Sequence, residues 1–469
     1  MLFKQIYEEK LSQYAYMIGC QETGEAFIID PLRDINRYFD LAEKHGMEIV
    51  GAADTHIHAD FLSGLREFAE KGVTVYASDE GDEDWKYEWL VAGNYRKKLL
   101  MDGDIVRVGN IGIRAMHTPG HTPEHLSYII TDGKVANEPL GMASGDFVFV
   151  GDVGRPDLLE TAAGKKGAMK PSAQRLYRSL DRFRTLPEYL QLWPGHGAGS
   201  ACGKAPGAVP ASTVGYELRY NAAINAAESE TRFVDFILDG QPEPPLYFAR
   251  MKRDNRKGPD ILGGLPNPEP VHADHLDLWL KEHKPVVIDT RPVEDYIKGH
   301  LSGSLCITLD KQFNTVAGSY VNPEDRVLLI IDERKTEEAV RDLIRVGLDH
   351  VDGYLSLAEF DRYRGDHEME TTDMRLFGGV KNAIADDKYF VVDVRKATEY
   401  AEGHIAGAMQ ISHVRLPEHR DGLPQDKILL VHCAAGGRAA SASSWLQKQG
   451  YPVIYINDSF ENCPAHLKV

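Results

Sequence analysis

Short apolar runs, each bounded by Gly, Pro, Asp or Asn, recur along this chain. Ala26-Phe27-Ile28-Ile29 closes on Asp30-Pro31, and Ile49-Val50-Gly51-Ala52-Ala53 runs through Asp54-Thr55 into a His-rich stretch. Apolar runs of that length read as buried strands, and strand ends are where α/β folds place ligands. Strands alternating with punctuated loops continue to the stretch Gln241–Val271. That stretch is rich in Pro and Gly, with Pro242-Glu243-Pro244-Pro245 and Pro266-Asn267-Pro268-Glu269-Pro270. Such composition resists a packed core and marks a boundary.

Beyond the boundary the pattern repeats itself. Val286-Val287-Ile288-Asp289-Thr290-Arg291 is echoed by Phe390-Val391-Val392-Asp393-Val394-Arg395. Likewise, Gly299-His300-Leu301-Ser302-Gly303-Ser304 is echoed by Gly403-His404-Ile405-Ala406-Gly407-Ala408, and Val327–Ile331 by Ile428–His432. The offset of about 100 residues is too long for a solenoid repeat. Two copies of one small α/β domain account for it, each with β-branched strands preceding helical stretches, hence a parallel sheet flanked by helices. The expected division is a first domain over 1–245, a linker over 246–271, and the two copies over 272–370 and 371–469.

Composition narrows the function. The chain has 469 residues, 43% of them hydrophobic, and a net charge of −18. The acidic balance argues against nucleic acid and anionic membranes as partners. The start, Met1-Leu2-Phe3-Lys4-Gln5, runs into charged residues rather than an apolar signal core, and no apolar run is long enough to span a bilayer. Five widely spaced cysteines, Cys20, Cys202, Cys306, Cys433 and Cys463, do not form a disulfide framework. They suit a reducing cytoplasm, the expected location.

Four clusters of metal-ligand residues lie in the first domain: Thr55-His56-Ile57-His58-Ala59-Asp60-Phe61, His117-Thr118-Pro119-Gly120-His121, Ser144-Gly145-Asp146-Phe147 and Trp193-Pro194-Gly195-His196-Gly197. Each sits beside Gly, Pro or a strand end, which frees a side chain to point into a cleft. The ordered set resembles the metallo-β-lactamase superfamily. The resemblance implies an αβ/βα sandwich with metal at one edge of the two sheets. The sequence departs from the family pattern at Phe61, where two-metal members carry a histidine ligand. A phenyl ring cannot coordinate, so one metal is expected.

The remaining set, His56, His121 and Asp146, makes a two-histidine, one-carboxylate face of the non-haem Fe(II) type. The persulfide dioxygenase branch of the family implies iron at these three positions. His58, Asp60 and His196 are then expected to orient ligands or water. Gly151-Asp152-Val153-Gly154-Arg155-Pro156-Asp157-Leu158 also matches that branch and is expected to be structural, with Arg155 as an alternative anchor for an acidic substrate group. Cys202 follows His196 closely and reads either as a persulfide carrier facing the metal, its thiolate favoured by Lys204, or as a small buried residue. Cys20 reads as packing.

A second signal is His432-Cys433-Ala434-Ala435-Gly436-Gly437-Arg438. A buried strand delivers Cys433 to a loop of small residues, Ala434, Ala435, Gly436 and Gly437. The loop amides, the following helix N-terminus and the charge of Arg438 are expected to favour a thiolate or bound persulfide. With Asp393-Val394-Arg395 and Gly403-His404-Ile405-Ala406-Gly407-Ala408, this motif resembles a rhodanese. Four residues between Cys433 and Arg438 match the sulfurtransferase loop, shorter than that of related cysteine phosphatases. The first copy has Asp332 in place of Cys433 and a charged loop, so it is expected to be inactive, with Cys306 as packing.

The expected fold is therefore a multidomain α/β chain: an αβ/βα sandwich followed by two rhodanese domains with parallel sheets. The resemblance to bacterial persulfide dioxygenase–sulfurtransferase fusions implies one Fe(II) per chain, with Zn as the alternative. It implies a low-molecular-weight thiol persulfide, O2 and sulfite as partners, and a homo-oligomer is expected. Two other readings are a Zn-dependent thioester hydrolase of the glyoxalase II type and a non-catalytic persulfide carrier or sensor.

Overall fold

The computed structural model describes residues 1–162 and 164–469. It falls into two compact units, Met1–Gly264 with Arg345–Gly347, and Leu265–Ile344 with Leu348–Val469.

The first unit holds two six-stranded sheets. Side-chain alternation along the strands sets its layers. In Gln13–Cys20, Tyr14, Tyr16 and Ile18 turn toward Ile113, Ala115, Tyr128 and Trp193 of the second sheet. Ala15 and Met17 turn the other way, toward Tyr38, Ala42 and Phe68 of the helices Asn36–Lys44 and Leu65–Glu70. On the far face of the second sheet, Met116, Ile129, Met142 and Leu192 pack with Leu176, Leu180 and Phe183 of the helix Met169–Phe183. The result is helix, sheet, sheet, helix, the αβ/βα sandwich expected. Each fully buried side chain of this size contributes about 1.5–3 kcal/mol, so three apolar layers hold the strand ends firmly. The strands Glu48–Ala53, Ile111–His117, Gly141–Gly145 and Gln191–Pro194 lead into the loops that carry His56, His121, Asp146 and His196.

One stretch differs from expectation. Within the segment read as a linker, Phe248–Lys257 is a helix that buries Phe248, Met251 and Asn255. The prolines and glycines lie on either side of it, and the ten residues between them contain neither.

The second unit holds two five-stranded sheets of the same order. In one, Val286–Asp289 pairs parallel with both Leu305–Cys306 and Val327–Ile331. In the other, Tyr389–Asp393 pairs parallel with both Met409–Gln410 and Ile428–His432. Val327–Ile331 is buried at every position, as expected for a strand covered on both faces. Among the described residues, no helix is long and apolar enough to cross a membrane.

Candidate metal centre and cysteine loop

His56, His121 and Asp146 converge, each offering a ligand atom within 4.8 Å of the others. His121 Nε2 lies 3.5 Å from Asp146 Oδ2, and His56 Nε2 lies 3.9 Å from the same oxygen. All three residues are buried. Their orientation comes from the surrounding backbone. His121 Nδ1 donates to the Arg155 carbonyl at 2.9 Å, which turns Nε2 inward. His56 Nδ1 meets Thr55 Oγ1 at 2.9 Å. The Asp146 amide donates to His125 Nε2 at 3.0 Å, and His125 Nδ1 meets Thr118 Oγ1 at 2.8 Å.

Two glycines make this approach possible. Gly145 adopts φ of +52°, a left-handed turn that side chains disfavour. A Cβ on Gly154 would stand 1.8 Å from the Asp146 carbonyl oxygen.

The centre fits a cation. His56 Nε2 and both Asp146 carboxylate oxygens are buried without a hydrogen-bond partner among the described residues. Burying such groups unpaired is costly, and a metal ion removes that cost. Burial, followed by the neighbouring histidines, pushes His56 well below its ordinary value. Burial also brings His121 down to about 3. Both imidazoles are therefore neutral, the form that binds metal. Burial raises Asp146 to about 6 in the metal-free chain.

His58, Asp60 and His196 stand outside this triad. His58 Nε2 turns to Asp30 Oδ1 at 3.2 Å, with Asp54 at 4.0 Å. Burial alone would lower His58, but Asp30, Asp54 and Asp60 together outweigh it and raise it to about 9. Burial raises Asp54 to about 7. Phe61 is fully buried and stacks on His58 with ring centroids 4.3 Å apart. His196 Nε2 approaches Asp60 at 3.3 Å and Asp146 Oδ1 at 3.5 Å.

Cys202 joins Asp60 and His196 in a second convergent group, also within 4.8 Å. Its proposed activation by Lys204 is corrected by the structure. Lys204 Nζ donates to the Asp239 carbonyl at 2.8 Å. Burial, then the carboxylates of Asp60 and Asp146, push the Cys202 thiol well above its ordinary value. Adjacency in sequence did not place the ammonium where it acts on the sulfur. Arg155 is 1% exposed, with its guanidinium held by Asp157 at 2.6 and 2.8 Å.

Four supporting residues escaped sequence reasoning. Asp30 and Asp54 lay in plain view at strand ends, and Asp30 has φ of +52°, uncommon for a residue with a side chain. His125 followed the second cluster. Asn255, in the stretch read as linker, donates to the carbonyls of His58 at 2.8 Å and Phe61 at 2.7 Å.

In the second unit, Ile428–His432 delivers Cys433 to its loop and the helix Gly437–Lys448 follows. The Gly436 amide donates to Cys433 Sγ at 3.1 Å. Arg438 does not stand as a free charge. Its guanidinium forms a bidentate pair with Glu399 at 2.6 and 2.7 Å. In the first copy, Asp332 is occupied by Arg334 at 2.6 and 3.0 Å. Cys306 is buried there, which pushes its thiol up, and its amide donates to Ser444 Oγ at 2.9 Å. All five cysteines are free and buried.

A two-sheet sandwich with a histidine–carboxylate centre at its strand ends, followed by paired parallel-sheet repeats with one cysteine loop, defines a metallo-β-lactamase-type protein with rhodanese-like domains. The metallo-beta-lactamase superfamily model matches residues 9–196, and the rhodanese-like domain model matches 272–355 and 378–463. A metallo-beta-lactamase of known structure from Staphylococcus aureus subsp. aureus COL is 39% identical, with a TM-score of 0.67, covering 76% of this chain and 98% of that one. A probable metallo-hydrolase of Burkholderia pseudomallei is 30% identical, covering 50% of this chain and 80% of that protein. The mitochondrial persulfide dioxygenase ETHE1 of Bos taurus is 28% identical, covering 42% of this chain and 68% of that protein. The chain belongs to the metallo-beta-lactamase superfamily and carries two rhodanese-like domains toward its C-terminus.

Proposed function

We propose that this chain oxidises the terminal sulfur of a low-molecular-weight thiol persulfide with O2, giving sulfite, and passes sulfane sulfur through Cys433 to make thiosulfate. The reading rests above all on the convergence of His56, His121 and Asp146, with unpartnered ligand atoms, in a chain that has Phe61 at a two-metal family ligand position. Its similarity to persulfide dioxygenases and its rhodanese-like domains point the same way. One Fe(II) held by the three residues would supply the redox chemistry that joins O2 to sulfur. The chain's own part is to keep both imidazoles neutral by burial, to aim them inward through the Arg155 carbonyl and Thr55, and to exclude bulk water.

At the second site, the Cys433 thiolate attacks the terminal sulfur of a persulfide. The S–S bond breaks, and the carrier thiol leaves. Sulfite then attacks the new Cys433 persulfide through its sulfur, releasing thiosulfate and the Cys433 thiolate. The physiological role proposed is sulfide detoxification in the cytoplasm.

The Asp60, His196 and Cys202 group favours one rival, a two-zinc hydrolase, because it offers donors for a second ion. Metal analysis separates the two: two Zn per chain would overturn the iron reading. Product analysis tests the rest. With persulfide and O2, the wild type is expected to yield thiosulfate, and Cys433→Ser mainly sulfite. Unchanged thiosulfate from Cys433→Ser would remove Cys433 from the reaction.

A further inference from the structure

The cysteine loop carries a charge arrangement that neither its glycines nor its nucleophile explains. Arg438 is the one loop residue with a full positive charge, and Glu399 holds it through both terminal nitrogens at 2.6 and 2.7 Å. A bidentate pair of this kind fixes orientation as well as charge. Glu399 is itself fixed, since its Oε2 accepts the Lys396 amide at 3.1 Å. The Cys433 sulfur, which accepts the Gly436 amide at 3.1 Å, also interacts electrostatically with the guanidinium. The other cations nearby do not replace its charge. Arg395 is committed to Asp393 at 2.6 and 2.9 Å and to the Gly403 carbonyl at 2.8 Å, and Lys396 is exposed.

The first copy supports a link between this pair and the nucleophile. Where Cys433 is replaced by Asp332, Arg438 is replaced by Glu337 and Glu399 by Asp295. Glu337 pairs with Arg341 along its own helix, and Asp295 lies 3.9 Å from Lys298. The copy without a sulfur acceptor lacks the pair.

From this we infer that Glu399 is a specificity-determining residue of the Cys433 site: it positions Arg438 and cancels its charge, so that the loop favours persulfide donors over oxyanion donors such as thiosulfate. The inference rests on the sulfurtransferase reading above. With a persulfide, Cys433 attacks the terminal sulfur and an ordinary thiolate departs with the electron pair, taking a proton from water. With thiosulfate, Cys433 attacks the sulfane sulfur and sulfite departs as an anion. The second reaction brings in thiosulfate and expels sulfite, the reverse of the sulfite step proposed above, and an unpaired cation at the loop would hold the incoming thiosulfate more tightly. The first carries no oxyanion, so the paired Arg438 leaves it unaffected and lets product thiosulfate depart.

The test uses the full chain with cyanide as acceptor, reads thiocyanate, and subtracts the Cys433→Ser background. The donors are inorganic thiosulfate and the persulfide of 2-mercaptoethanol, an uncharged thiol. Glu399→Gln is expected to lower the KM for thiosulfate about five- to tenfold, the size of one unscreened charge at a half-exposed site, and to move the persulfide KM by less than about twofold. Glu399→Asp, which keeps the charge, is expected to retain the wild-type preference. A residue that merely held the loop together would instead lower kcat for both donors in Glu399→Gln, and that result overturns the inference. So does an unchanged or raised thiosulfate KM. Absence of Cys433-dependent thiocyanate from the wild type with either donor would overturn the sulfurtransferase reading itself.

Discussion

Asn255 Nδ2 donates to the carbonyl of Phe61 at 2.7 Å, a bond between residues 194 positions apart. The same amide also serves the His58 carbonyl, and its Oδ1 accepts the Ser63 amide at 2.9 Å. One side chain therefore closes the loop that starts at His56, the first proposed metal ligand. Asn255 itself is 3% exposed.

Asn255→Ala leaves two carbonyls and one amide unsatisfied in a buried place. At about 1–3 kcal/mol for a buried group stripped of its partner, with some relief from water, the total expected is about 2–4 kcal/mol. Urea unfolding of the metal-free first unit's transition measures it. A loss below about 0.5 kcal/mol, the range of ordinary surface substitutions, would show that the loop closes without Asn255.

His121→Ala removes one of three proposed ligands without touching the inter-sheet core. The variant is expected to retain the wild-type far-ultraviolet circular dichroism and to lose bound iron. Thr55→Val, which removes the Oγ1 contacts to His56 Nδ1 and Asp30 Oδ2, is expected to weaken metal affinity about 10- to 100-fold, the usual effect of removing a group that orients a ligand. Metal per chain after dialysis against a graded chelator distinguishes the two. Equal iron in His121→Ala and wild type would place the metal elsewhere.

The difference between what the residues disclosed and what they hid follows a physical line. His56, His121 and Asp146 stood out because each follows a strand end, with a Gly directly before His121 and Asp146, so local sequence alone aims them outward from the sheet. The two parallel sheets were legible from their apolar runs and their repetition. Asn255, by contrast, acts across 194 residues from a helix with an ordinary polar sequence. The Glu399–Arg438 pair spans 39 residues, and only the packing of a helix start against the loop brings it together. Lys204 misled for the converse reason: it lies two positions from Cys202, yet its long stem carries the ammonium to Asp239.

His413 supplies a pH dependence. It is 4% exposed, and neither ring nitrogen has a hydrogen-bond partner among the described residues. Burial, then the charges of Arg438 and Lys396, bring it down to about 3 from 6.5. The unfolded chain therefore binds a proton below about 6.5 that the folded chain refuses until about 3, so stability is lost as pH falls through that window. The slope from one such group is about 1.4 kcal/mol per pH unit. His413→Leu removes it. Between about pH 7.5 and about pH 5.5, the variant is expected to gain about 1 kcal/mol on the wild type in urea unfolding of the C-terminal domains. Parallel losses in both proteins would mean that His413 accepts its proton in the folded state.

The closest approach at the metal centre is made by a glycine. A Cβ on Gly154 would lie 1.8 Å from the Asp146 carbonyl oxygen and 3.2 Å from His121 Cβ, so Gly154→Ala forces the strand end or the opposing loop to move. Overpacking of this kind costs about 1–3 kcal/mol. The displaced groups are two of the three proposed ligands, so metal binding is expected to suffer more than folding does. Iron per chain is expected to fall at least about tenfold, and O2 uptake with persulfide to fall with it. Cys433-dependent sulfur transfer, carried by the other unit, is expected to stay at the wild-type rate in the same sample, which excludes general misfolding. Full iron loading in Gly154→Ala would show that Asp146 tolerates the displacement and that the glycine serves the backbone turn alone.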